Sequence, residues 1–208
     1  MREVTCPGCG APVTFVSAAS LLAVCAFCHA TLMRRDLDVE RIGTMAELLP
    51  DPSPIQLRAE GKYRHTHFAV VGRIQLRYEA GVWNEWYLVF DDARPGWLGD
   101  AAGEYSITFE TVVPEPLPAW TSLRPGSPVT LAGLTYEVTD LEEAEVVGGE
   151  GELPFQVENG AKTAAADLRA PGTGFATLDY GDGAPRVYLG ETVELPALAL
   201  RGLRERDG

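Results

Sequence analysis

Two Cys-x-x-Cys pairs, Cys6/Cys9 and Cys25/Cys28, constrain this chain more than any other feature, because fifteen residues separate them. Each pair places two thiolates on one turn, and the interval is long enough for a short hairpin that folds the second turn onto the first. The spacing predicts a zinc ribbon with one tetrahedral ion held by all four cysteines. With every coordination position taken, such an ion is structural rather than catalytic. Gly8 and Gly10 supply the tight backbone around the first pair. Cys25-Ala26-Phe27-Cys28 has no glycine, so its turn is expected to be less ideal or closed by another conformation. A disulfide would require an oxidising compartment, to which nothing in the chain points. A thioredoxin-like redox pair would need a strand before it and a helix after it, and would leave the other pair unexplained. His29, next to Cys28, reads as a bystander.

The chain has 208 residues and 46% hydrophobic content, enough for a moderate core and a small appendage. Its net charge of −13 repels a phosphate backbone, which argues against the nucleic-acid role many zinc ribbons have, unless Arg34 and Arg35 form a local exception. No apolar run approaches the ~20 residues of a membrane-spanning helix, and the apolar stretch 17–27 lacks the basic flank of a signal peptide. The simplest expectation is a cytoplasmic protein, where reduced thiols stay competent for metal.

The pattern divides the chain into a ribbon with a charged extension (1–43), a Pro-rich linker (44–56) and a β-rich domain (57–208). Pro50, Pro52 and Pro54 block helix and favour an extended connector, with one helical turn allowed near Thr44 to Leu49. Beyond Ile55, short Val-, Tyr-, Trp- and Thr-rich runs between turn residues read as strands. These include His67–Tyr78 and Val82–Phe90 around a Glu79-Ala80-Gly81 turn, and Val129–Leu131 and Leu134–Val138 around Ala132-Gly133. Glu142–Val147 and Glu152–Val157 read as separate strands, and Thr163–Leu168, with three alanines, as a short helix. The fold class is mostly β: an antiparallel β-barrel or β-sandwich behind the ribbon. An echo sets Phe90-Asp91-Asp92 beside Tyr180-Gly181-Asp182, and Trp97-Leu98-Gly99 beside Tyr188-Leu189-Gly190. It reads equally as two similar β subunits joined through Val113 to Ser127 or as chance recurrence of strand and turn.

In Trp83-Asn84-Glu85-Trp86-Tyr87-Leu88, strand alternation puts Trp83, Glu85 and Tyr87 on one face and Asn84, Trp86, Leu88 and Phe90 on the other, which looks like core. A carboxylate between two aromatics, if desolvated, has a raised pKa and suits an acid or a receptor for a cation. The plainer alternative is a glutamate bonded to a neighbouring strand or facing solvent. His65 and His67 could share a face, but two polar residues on a solvent face account for them more simply. No Gly-x-Ser-x-Gly, no phosphate loop and no uncommitted cysteine is present, so no catalytic residue is assigned and a non-enzymatic role is expected.

The segments Asp51-Pro52-Ser53-Pro54, Gly61, Phe68-x-Val70-x-Gly72-Arg73, Trp83-x-Glu85-Trp86-Tyr87 and Trp97-Leu98, in that order, resemble a bacterial family known as domain of unknown function 4178. The resemblance covers most of the chain, and a four-cysteine ribbon is a familiar companion of that domain. It implies a β-rich domain with no established activity, whose genes often neighbour polyamine-synthesis and membrane-stress genes. Two roles follow as expectations. One is an adaptor that offers surfaces to a protein partner. The other is a binder, or enzyme, that takes a polyamine-like cation around Trp83, Glu85 and Tyr87.

Overall fold

The computed structural model describes residues 2–35, 38–181 and 184–205. Five short strands build the ribbon: β1 (Arg2–Thr5), β2 (Pro12–Phe15), β3 (Leu22–Val24), β4 (Ala30–Arg35) and β5 (Asp38–Thr44). One cysteine turn joins β1 to β2 and the other joins β3 to β4. The charged extension pairs back on the ribbon, with Arg34 opposite Val39 and Arg35 opposite Asp38. Residues 45–59 then run without helix. The prolines remove donors and fix the backbone there, so the helical turn expected near Thr44 to Leu49 does not form.

Ten strands follow: β6 (Glu60–Tyr63), β7 (Thr66–Tyr78), β8 (Gly81–Phe90), β9 (Pro95–Ala101), β10 (Glu104–Glu110), β11 (Pro128–Leu131), β12 (Leu134–Leu153), β13 (Lys162–Arg169), β14 (Gly174–Asp179) and β15 (Arg186–Val193). Eight of them close a ring of antiparallel pairs in the order β7, β8, β9, β10, β15, β14, β13, β12 and back to β7. The barrel is therefore complete, and closure removes the exposed edges an open sheet would leave. Two corrections to the sequence reading concern this ring. The alanine-rich stretch expected to be helical is strand β13, because its small side chains fit both faces of the wall: Ala166 is buried on the outer side with Leu168, while Ala165 faces the interior. The two separate strands expected at Glu142–Val147 and Glu152–Val157 are one long strand, β12, ending at Leu153.

The barrel consists of two topologically equivalent halves. Each begins with a short strand and a tight hairpin (β6–β7, β11–β12) and continues through three more antiparallel strands (β8 to β10, β13 to β15). First pairs with first (β7–β12) and last with last (β10–β15) to close the ring. The sequence echo does not carry this equivalence. It sets Phe90, at the end of β8, against Tyr180, just past β14, which is one strand out of step, and its Asp182 lies outside the described residues.

β12 makes closure possible. Bulges between Val138 and Asp140 and between Val146 and Gly148 bend it, so that it pairs successively with β13, β7 and β3. At the seam with β7 the chains nearly touch: a Cβ on Gly72 would lie 1.7 Å from the Glu152 carbonyl oxygen. Only glycine fits there.

The wall is buried on both faces. Outside the first half, Trp86, Leu88, Phe90, Phe68 and Ile107 pack under β6, Ile55 and Leu198, and each such side chain contributes about 1.5–3 kcal/mol on burial. Outside the second half, Val138, Leu168, Leu178 and Val187 pack under β11 and the 111–127 connection. Inside, Ile74, Leu76, Tyr87, Trp97, Ala144 and Tyr188 form a third cluster with Leu22, Val24 and Met45 from the ribbon side.

One polar network pins the Pro-rich segment to the outer wall. Arg73, almost fully buried, forms an ion pair with the equally buried Asp51, is 3.3 Å from Glu150, and donates to Asn84 Oδ1 at 2.9 and 2.7 Å. Its guanidinium lies 4.7 Å from the Trp86 ring centroid. Ser53 Oγ donates to Asp100 at 2.5 Å. Burial would raise the Asp51 pKa, but the bond and charge of Arg73 outweigh it and hold the carboxyl below its usual range. Asp100, buried without so close a cation, is pushed up. This network joins Asp51, Ser53, Arg73 and Trp86, four residues from the separate segments on which the resemblance was drawn, in one buried cluster.

Candidate metal centre and barrel lumen

The four sulfur atoms lie within 4.8 Å of one another, with Cys6 to Cys28 and Cys9 to Cys25 both at 3.7 Å. That is far beyond a disulfide bond of about 2.05 Å. It matches the edge of about 3.8 Å expected for a tetrahedron with metal–sulfur bonds of about 2.3 Å. Each turn is closed in the same way. Gly10 N–H donates to the Cys6 carbonyl at 2.8 Å and His29 N–H to the Cys25 carbonyl at 2.9 Å. Gly10 has φ +79° and His29 φ +54°, so histidine takes the left-handed position that glycine holds in the first turn. The second turn was expected to differ for want of a glycine. Of the two outcomes expected, the less ideal turn is the one found: the closing bond is the same, with a histidine in the left-handed position.

Gly8 N–H points at Cys6 Sγ at 3.4 Å. Burial alone would raise the Cys6 pKa, yet the amides of Gly8 and Cys9 bring it down to about 7. Cys9 receives help from the Ala11 amide, but the crowding of Cys28, Cys25 and Cys6 pushes it up to about 12. A cation among the four sulfurs would relieve that crowding. The donor set therefore fits a thiophilic metal ion with no open coordination position.

The second site is the barrel interior. Trp83 and Glu85 line a cavity of about 200 Å³ together with Trp97, Thr177, Asp179 and Tyr188. Tyr87 shares their face and is fully buried deeper in the inner cluster. Asn84, Trp86, Leu88 and Phe90 form the buried outer face. Trp83 Nε1 donates to Glu85 Oε1 at 3.0 Å, and Tyr78 meets the Trp83 ring edge-on at 5.2 Å. Glu85 lies opposite Gly99 on β9, where an added Cβ would meet Ser106 Oγ at 2.8 Å and stand 3.7 Å from the Glu85 carboxylate.

Glu85 keeps some contact with the cavity, yet protein surrounds it on all sides. That desolvation, reinforced by the charges of Asp167, Asp100 and Asp179 and opposed only by the Trp83 bond, pushes its pKa up to about 8. Burial likewise lifts Asp167 to about 6, although Thr177 Oγ1 donates to it at 2.7 Å. Glu142 is also raised by burial. Tyr188 goes up to about 12 by burial. Lys162 and Arg186 are at the mouth, where the Arg186 guanidinium lies 5.3 Å from the Phe155 ring. The cavity is thus lined by aromatic rings, by carboxylates that include Glu85 and Asp179, and by the two cations Lys162 and Arg186.

Sequence reasoning identified Glu85 and its flanking aromatics but missed Asp167 and Asp179. Both alternate inward on strands whose acidic residues look like ordinary surface charges. His65 falls in the turn before β7 and His67 on β7, and both are exposed. They join no cluster of metal-binding groups among the described residues.

A closed eight-stranded antiparallel barrel that carries a ribbon with four clustered thiols able to bind a metal ion is the class of protein this geometry defines. The chain belongs to the family described as domain of unknown function (DUF4178), whose model matches residues 56–195. The cysteines and the Asp51 latch lie ahead of the matched range. No curated protein and no solved structure matches the chain. No helix among the described residues is long and apolar enough to cross a membrane.

Proposed function

We propose that the barrel is a receptor for a small organic cation and that the four cysteines hold one structural zinc ion. The observation that carries the first part is Glu85: a desolvated carboxylate bonded by the Trp83 indole, near Asp167 and Asp179, in a cavity that is also lined by Lys162 and Arg186. A bound ammonium group would restore the ionised carboxylates and contact the faces of Trp83 and Trp97, a contribution of about 0.5–2 kcal/mol per aromatic contact. The cavity, about 200 Å³, is smaller than the ~300–1,000 Å³ of pockets for drug-sized ligands, which favours a slim, extended molecule such as a polyamine. The reading is one of binding without catalysis, in a reducing, cytoplasmic setting that keeps the thiols free for metal. Calorimetric titration with spermidine tests it. We expect heat on binding that weakens with salt and is largely lost in Glu85→Gln. Absence of heat at any salt concentration would remove the proposal.

A second reading, an adaptor for a protein partner in a polyamine- or membrane-stress-related complex, rests on a different observation. Val16, Leu21 and Phe27 project from the ribbon, with Phe27 72% exposed. The net charge of −13 disfavours nucleic acid as that partner. A native pull-down comparing the wild type with Cys6→Ser and Trp83→Ala discriminates between ribbon-dependent and barrel-dependent capture. Recovery of the protein alone in every case would count against the adaptor.

A further inference from the structure

We infer that metal at the four-cysteine centre braces one mouth of the barrel, so that loss of the metal opens the lumen. The segment 154–161, between β12 and β13, supplies Phe155, Val157 and Glu158 to the cavity wall. Two connections run from the cysteine turns to this segment. The first passes along the backbone. β3, whose last residue precedes Cys25, pairs with the end of β12 through Leu22–Leu153 and Ala23–Glu152, and Leu21 N–H donates to the Leu153 carbonyl at 3.0 Å. The Glu152 carboxylate, nearly fully buried, accepts the Val16 and Ser17 amides at 2.5 and 3.0 Å and so fixes the ribbon hairpin on the same strand.

The second connection starts at the left-handed residue of the second turn. The His29 carbonyl accepts Met45 N–H at 2.8 Å. The next residue, Ala46, donates its N–H to Asn159 Oδ1 at 3.2 Å, and Asn159 Nδ2 donates to the Thr44 carbonyl at 3.2 Å. Met45 itself packs with Val157, Leu22 and Val24.

Each turn is only a few residues long, and the ribbon's own core is small: Val13, Phe15, Ala23, Ala30 and Leu32 around Cys6 and Cys25. The shape of each turn depends on the metal, because a site assembled from thiols couples ion binding to local folding. Once the turns relax, β3 and Met45 lose their fixed positions and segment 154–161 loses both its backbone anchor and its packing partners. The strands of the ring itself, paired on both sides, keep their hydrogen bonds. The consequence for the ligand rests on the receptor reading above, whereas the brace does not.

Hydrogen exchange of the full chain, without ligand, compares zinc-loaded protein with protein stripped by a chelator. The expected result is exchange at least tenfold faster in 154–161 on stripping, with β13 to β15 still protected. Unchanged exchange in 154–161 would overturn the brace. Simultaneous loss of protection throughout the ring would also overturn it, because the metal would then support the whole fold rather than one mouth. Asn159→Ala, at an exposed position, tests the link without touching a cysteine. It should retain zinc by mass spectrometry and still speed exchange in 154–161, and unchanged exchange there would refute the Asn159 connection. A final arm measures spermidine dissociation, expected to be faster from stripped protein. If spermidine fails to bind the loaded protein while the exchange result stands, the receptor reading fails and the brace survives.

Discussion

Replacing Glu85 by glutamine should make the protein more stable at alkaline pH and flatten its pH profile. In the folded state the Glu85 pKa rises from the ordinary 4.5 to about 8. The folded chain therefore binds this proton more tightly than the unfolded chain, and the stability linked to it is complete below about pH 4.5 and is lost as pH rises through 8. The slope is about 1.4 kcal/mol per pH unit while the folded state alone retains the proton. Asp167 titrates near 6, so most of its own contribution is gone before the upper part of the window opens. Between about pH 6.5 and 8 the wild type should lose ~1.5–2 kcal/mol more than Glu85→Gln, which corresponds to ~3–8 °C in melting temperature for a chain of this size. Urea unfolding of zinc-loaded protein, followed by tryptophan fluorescence, measures the difference. Zinc loading keeps the ribbon in the same state in both proteins, so the comparison isolates position 85. Parallel stability profiles for wild type and variant across this window would refute the argument that Glu85 is held protonated by its surroundings.

Truncating Arg73 to alanine leaves the buried Asp51 only the more distant Arg204, 3.7 Å away, and should cost about 3–5 kcal/mol in urea unfolding; a loss under 1 kcal/mol would mean the Pro-rich segment is not pinned by the Arg73 pair. Metal analysis of purified protein should give about one zinc per chain, falling toward zero in Cys6→Ser, while circular dichroism retains the β signal of the barrel. Zinc content that is unaffected by Cys6→Ser would place the ion elsewhere.

Legibility followed the range of the interactions. The four-cysteine cluster could be read because its thiols come in two local pairs, and a turn of four residues fixes where each pair of sulfurs points. The inner and outer faces of β8 could be read because alternation is a property of any strand. By contrast, the helix expected at Thr163 to Leu168 and the break expected inside β12 both failed. Propensity and local pattern are weak next to the demand that a closing strand fill its place in the ring. Asp167 and Asp179 were invisible for the same reason, since nothing adjacent in sequence marks an acidic residue as facing a lumen.

The sequence alone thus determined the cysteine tetrad, the β character and the shared face of Trp83, Glu85 and Tyr87, all consequences of bonding and periodicity over a few residues. Only the tertiary structure decided that this face lines an enclosed lumen. That outcome requires β7 to meet β12 and β10 to meet β15, pairings across roughly seventy to ninety positions of chain. These closures surround Glu85 with protein and bring Asp167 and Asp179 within range of it, and the desolvation they impose raises its pKa well above that of an ordinary glutamate.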